Sequence, residues 1–158
     1  MQLLMSEEQK YANRKLVSAC KSGDISLARY LLEEGFAKIN CYSMGNTPLT
    51  ATLKNKNTNM ANFLLNFPGV KMEQPDDLGR TPLHFACYHG LIELIRRLIP
   101  HLASCSINRR DSYGRSPIMA AVELGKVEAV KEMIKVKEVN LRTTNMDGES
   151  LIEVARYI

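Results

Sequence analysis

Tryptophan is absent from this 158-residue chain, and all aromatic residues together make up 6% of it. A core built on large rings is thereby excluded. One of Leu, Ile, Val, Ala and Met is expected instead, which suits short, closely packed helices. No stretch reaches the ~18 apolar residues of a membrane-spanning helix, so no membrane insertion is expected. The opening Met1-Gln2-Leu3-Leu4-Met5 is too short for a signal peptide before it meets Ser6-Glu7-Glu8. An excess of one charge is missing too: 21 basic and 17 acidic residues are interspersed and leave +4. The densest basic run, Asn108-Arg109-Arg110, is closed at once by Asp111 and reads as a solvated turn rather than a nucleic-acid contact. Cys20, Cys41, Cys87 and Cys105 form no CxxC pair, and His84, His89 and His101 are the only histidines, so metal-site spacing is lacking. There is no Walker loop, GxGxxG, GxSxG or HExxH. We therefore expect no metal, no cofactor, no nucleic-acid partner and no catalysis. Thiols without a disulfide pattern point to a reducing compartment, the cytosol or nucleus.

What the chain does have is a recurring phrase. It reads Thr47-Pro48-Leu49-Thr50, then Thr81-Pro82-Leu83-His84, then Ser116-Pro117-Ile118-Met119, with a weaker echo at Ser150-Leu151-Ile152-Glu153. Gly45, Gly79, Gly114 and Gly148 each stand two residues ahead, and the steps are 34, 35 and 34 residues. A fixed period of this length means stacked supersecondary units. In one unit, Asp76-Asp77-Leu78-Gly79 is turn chemistry. Thr81 can cap a helix that starts on Pro82, whose missing N–H costs nothing there. The spacing predicts one helix from Pro82 to about Tyr88, a break at Gly90, and a second helix from about Leu91 to Ile99, ended by Pro100. Ile92, Ile95, Leu98 and Ile99 give that second helix one apolar face. The same register gives Ile25, Ala28, Leu31, Leu32; Thr58, Ala61, Leu64, Leu65; and Val127, Val130, Met133, Ile134. Leu16, Leu49, Leu83, Ile118 and Ile152 hold the matching place in the first helices, followed three residues later by the small Ala19, Thr52, Ala86, Ala121 and Ala155.

The phrase Gly79-Arg80-Thr81-Pro82-Leu83-His84-Phe85-Ala86-Cys87-Tyr88-His89-Gly90, with its Ile/Leu-rich second helix, resembles the ankyrin repeat. So do Gly114 to Ala121 with Gly125, and Gly23-Asp24-Ile25; the resemblance covers about residues 12–158. It implies an all-α ankyrin solenoid of stacked helix-turn-helix units with β-turn or hairpin fingers. The units fall at about 6–41 (an N-terminal cap), 42–75, 76–110, 111–144 and 145–158 (partial), one domain over 1–158. Ser6 with Gln9 fits a capping box at the start. The last unit is either a half-repeat cap or the edge of a fragment of something longer, and the fragment is favoured. Lys56 takes the turn position held elsewhere by Gly23, Gly90 and Gly125, so the second unit is expected to be the least stable, with its turn shifted onto Asn55 or Asn57.

The resemblance implies binding of a protein or peptide on a concave face lined by turn tips and the ends of the first helices. Carried over position by position, the candidate contacts are Met44, Asn46, Leu78, Arg80, Tyr88, His89, Tyr113, Arg115, Glu123, Leu124, Met146 and Glu149. Tyr and Arg are favoured as interface anchors, and Arg80 and Arg115, one unit apart, would suit an acidic segment. The family reading makes His84 a structural hydrogen-bonding residue between neighbouring turns. Cys20 and Cys87 follow core alanines and read as packing groups, while Cys41 and Cys105 in connecting segments read as exposed. The Thr-Pro and Ser-Pro pairs read as helix caps rather than phosphorylation sites. An adaptor or scaffold module is expected, a monomer whose apolar last helix offers a surface for weak self-association. The alternative is the substrate-recruiting region of a larger enzyme such as a kinase or ubiquitin ligase.

Overall fold

The computed structural model describes residues 6–157; Ile158, expected on the last apolar face, and the opening Met1–Met5 lie outside them. Two compact units divide the chain, Met1–Gln74 and Pro75–Ile158. Helices account for nearly all regular structure among the described residues, and the only extended pairings there are isolated bridges, Ser43 with Asn46 and Thr144 with Ser150.

In the first unit, α1 (Glu7–Ser22) and α2 (Ile25–Glu33) are followed by a finger and then by α3 (Pro48–Lys54) and α4 (Thr58–Leu65). Ser6 caps α1 by accepting from Gln9 N at 3.1 Å, but the capping box is only half made. The Gln9 amide donates to the Phe36 carbonyl and lies near Asn13 instead of reaching back to Ser6. Thr47 and Thr50 do close a full box at the head of α3. Leu16, Val17, Leu49, Leu53, Met60, Ala61 and Leu64 form the core, each essentially without solvent contact. A buried Leu of this kind contributes about 1.5–3 kcal/mol. Asn40 ties the connecting loops together, donating to Gly69 O at 2.7 Å and accepting from Lys71 N at 2.7 Å. The expected shift of the α3–α4 turn does not occur. Lys56 itself sits in the left-handed region at φ 57°. Asn57 keeps φ −78°, the N-cap conformation that Asp24, Leu91 and Lys126 also hold, and its amide donates to the Cys20 and Lys21 carbonyls that end α1.

The second unit holds α5 (Pro82–His89), α6 (Ile92–Leu98), a 3-10 turn at Ile99–His101, α7 (Ser104–Ile107), α8 (Pro117–Glu123), α9 (Val127–Ile134) and α10 (Leu151–Ala155). Leu83, Ala86, Ile95, Leu98, Ile118, Ala121 and Met133 are fully buried. Asn108 repeats the role of Asn40, donating to Glu138 O and accepting from Asn140 N, both at 2.7 Å. The apolar register fades at the last helices. Val127, Ile134 and Ile152 are more than half exposed, and Val154 rather than Ile152 joins Met119 and Val122 in the final core cluster. The sequence period marks a face that can be buried; it does not supply the neighbour that buries it.

Candidate functional site

The fingers decide which of the candidate residues are free to bind. In the second unit each finger opens on an Asx residue whose side chain is turned back on its own loop. Asp76 Oδ1 accepts from Leu78 N at 3.0 Å and Arg80 N at 2.8 Å, and its Oδ2 takes the Arg80 guanidinium at 2.8 and 2.6 Å. Asp111 does the same with Tyr113 N and Arg115 N, both 2.9 Å, and with the Arg115 guanidinium at 3.1 and 2.9 Å. In the third copy the polarity is reversed. Asn145 accepts from Asp147 N and Glu149 N, and its amide donates to the Glu149 carboxylate at 2.9 Å. Asp76 and Asp111 are buried, so each Arg gives two donors to one oxygen of a carboxylate that water does not reach.

This revises four of the expected contacts. Arg80, Arg115 and Glu149 occupy one position in three copies, and in each the side chain is consumed by the Asx four residues earlier. The Arg80 guanidinium also lies 4.8 Å from the Phe85 ring, and that of Arg115 4.8 Å from the Tyr113 ring. Arg80 and Arg115 do not project as a free cationic pair. Asn46, at the same position in the first unit, is 5% exposed, and its amide donates to Met44 O at 2.7 Å. The finger there has Tyr42 in the Asx position, and Ser43 and Asn46 pair through their backbones instead.

Five of the remaining candidates stand in solvent, and Leu78, His89 and Glu123 are half-buried. Tyr88, Tyr113, Leu124 and Met146 in the second unit, and Met44 in the first, are 40–72% exposed. His89 packs edge-on to Tyr88, ring centroids 4.9 Å apart, and Leu78 gives its carbonyl to Ser112 N at 2.8 Å, which ties one finger to the next. Glu123, partly buried at the end of α8, has its carboxylate 3.6 Å from the Arg115 guanidinium, so the row of first-helix ends borders the row of fingers. Burial, only partly offset by Arg115, pushes the Glu123 carboxyl above its ordinary range. Extending the register into the partial unit brings in one residue missing from the candidates. Tyr157, 81% exposed, takes the place of Tyr88 and Glu123.

The groups weighed for chemistry are built in. His84 Nδ1 faces Thr81 N at 3.1 Å and Thr81 Oγ1 at 2.9 Å, which leaves Nε2–H to donate to Arg115 O at 3.0 Å. Desolvation lowers its pKa. Burial pushes the Cys20 thiol up to about 12, and that of Cys87 further still, far from an activated thiolate. Cys41 is buried rather than exposed, its Sγ set 3.8 Å from the Asn13 carbonyl and its pKa also pushed up to about 12 by burial; Cys105 is exposed. Thr47, Thr81 and Ser116 are buried and accept from the third residue of their helices. Among the described residues no cluster of three or more His, Cys, Asp or Glu could hold a metal ion, and no helix is long and apolar enough to cross a membrane.

A family model of ankyrin repeats in three copies matches residues 2–76 and 53–145. The chain belongs to the ankyrin-repeat family, whose repeats generally mediate protein–protein interaction. It is 27% identical over 90% of its length to ankyrin repeat domain-containing protein 63 of Mus musculus, of which it covers 38%. It is 29% identical over 78% of its length to the probable E3 ubiquitin-protein ligase XBOS33 of Oryza sativa subsp. japonica, of which it covers 24%. It is 30% identical over 61% of its length to the serine/threonine-protein kinase TNNI3K of Mus musculus, of which it covers 12%. The chain thus spans well under half the length of each of these relatives.

Proposed function

We propose that this chain is a non-catalytic recognition module, an adaptor or scaffold of the cytosol or nucleus. It holds a partner protein or peptide on the face made by its finger tips and first-helix ends. One observation carries the reading. In the second unit, Tyr88, Tyr113, Leu124 and Met146 fall at repeat-equivalent or adjacent positions and leave large apolar surface in water, where the core has no use for them. Such anchors favour a partner because they bury much area at small entropic cost. The matches to a ubiquitin ligase and a kinase favour a second reading, in which the same face recruits substrate for a larger enzyme. Affinity capture with the whole chain beside a Tyr88→Ala/Tyr113→Ala/Leu124→Ala version tests the face itself. The variant is expected to lose the partners that the native chain recovers. Equal recovery by both would place binding elsewhere.

A further inference from the structure

Once Arg80 and Arg115 are assigned to Asp76 and Asp111, the charge left on the face of the second unit has the opposite sign from the protein as a whole. Asp77 and Asp147 stand exposed at finger tips and form no ion pair among the described residues. Glu123 has only the far side of an Arg115 that already gives Nε and Nη2 to Asp111. Other cations border the fingers: the exposed Arg110 guanidinium donates to Thr144 O at 2.7 Å, and the Lys126 side chain packs over Gly90. Three carboxylates thus share the finger tips and first-helix ends with the apolar Tyr88, Leu124 and Met146 on a chain of net charge +4.

We propose that the partner segment is cationic and apolar, a stretch of another protein in which Lys or Arg side chains are interspersed with apolar ones. The cations meet Asp77, Glu123 and Asp147; the apolar groups meet Tyr88, Leu124 and Met146. The inference rests on the reading that this face binds, and it reverses the acidic partner expected from the two arginines. Charge complementarity decides the sign. An acidic segment would meet three carboxylates while the finger arginines Arg80 and Arg115 are already held by Asp76 and Asp111, and like-charge juxtaposition rejects wrong partners strongly. A cation set against Glu123 gains more than one at a tip, because burial leaves that carboxylate under-compensated. Tyr88, at the repeat position equivalent to Glu123 one copy away, offers a π-face that also suits Lys and Arg heads.

A displayed library of random dodecapeptides, selected on the whole chain, tests this. Two variants serve as counter-targets: Asp77→Asn/Glu123→Gln/Asp147→Asn, which keeps shape, and Tyr88→Ala/Leu124→Ala/Met146→Ala, which removes apolar area. Melting curves matching the native chain establish that both fold. Selected peptides are expected to be rich in Lys or Arg and apolar residues. Their affinity should fall about tenfold on the neutralised variant and weaken as salt rises. Acidic or uncharged winners, no enrichment, or equal affinity for the native and neutralised chains would overturn the inference. Loss on the apolar variant alone would keep the binding face and remove the charge preference. If neither variant alters binding, both readings fall.

Discussion

The finger at residues 42–47 and those at 76–81 and 111–116 reach the same helix-capping Thr or Ser by different chemistry. In the second unit, a buried Asp holds two backbone N–H groups and a guanidinium, and the loop is fixed by side-chain bonds. In the first unit Tyr42 replaces the Asp, and the backbone pairing of Ser43 with Asn46 closes the loop, helped by the Asn46 amide donating to Met44 O. Met44 at φ 51° and Gly45 at φ 72° make a two-residue turn with both central residues in the left-handed region. Glycine accepts that region freely; a Met there costs on the order of 1 kcal/mol. The clamped finger stores its stability in a charged pair that has no use for solvent. The unclamped one leaves Tyr42 and Met44 half exposed and its Asn46 Oδ1 without a partner. A residue that looks available on a finger is therefore available only if the Asx position does not claim it.

The largest effect is expected from breaking the clamp. Asp111→Ala leaves a half-buried guanidinium and two backbone N–H groups without their acceptor, a loss of about 3 kcal/mol. Asp111→Asn keeps the acceptor for the two N–H groups, as Asn145 does in the next copy, and should fall between native and Ala. Urea unfolding measures both. A cost for the Ala variant below about 1 kcal/mol would mean the clamp is ornamental.

Much of the fold was legible because its signals are local. Thr47, Thr81 and Ser116 cap helices that begin on the next proline, a matter of a few adjacent residues, and α5 and α6 lie within one residue of the expected ends. The proposed binding face was less legible. Arg80 and Arg115 read as free surface cations, although a paired change four residues apart, Asp with Arg in two copies and Asn with Glu in the third, marks them as internal partners. Cys41 could not be placed from its neighbours, since what covers it includes Asn13, 28 residues away. Nor could Val127 and Ile134, whose spacing fits a core that nothing among the described residues completes.

A middle-sized effect should sharpen the contrast from the weaker side. Met44→Gly and Lys56→Gly each relieve a left-handed non-glycine residue at φ 51° and 57°. The gain is partly offset by the entropy glycine loses on folding. Each should stabilise by about 0.5–1 kcal/mol, whereas Gly at an unstrained helix position would destabilise by as much. Hydrogen exchange follows the same ordering: amides of residues 42–75 should be the least protected. If that segment proves the most protected, the strained turns do not set local stability.

The smallest effect concerns pH and sits where the fingers join the helices. Thr50 and His84 occupy the same place in successive copies, and both close the cap of their helix. Only His84 can titrate, and only His84 reaches on to the next finger, through Nε2 to Arg115 O. Burial holds its folded pKa below the ordinary value near 6.5, despite the carbonyl that favours the charged ring. The unfolded chain therefore takes up the proton first. The histidine's stabilisation is complete above about pH 6.5 and is lost as the pH falls from there through the folded value, at no more than about 1.4 kcal/mol per pH unit. His84→Thr copies the first unit's solution. It should lower stability at neutral pH, because the bond to Arg115 is gone, and flatten the slope of stability as the pH falls below about 6.5. Urea midpoints across that range read both quantities. A slope that survives in His84→Thr would belong to other groups, and the junction histidine would then act through its hydrogen bonds alone.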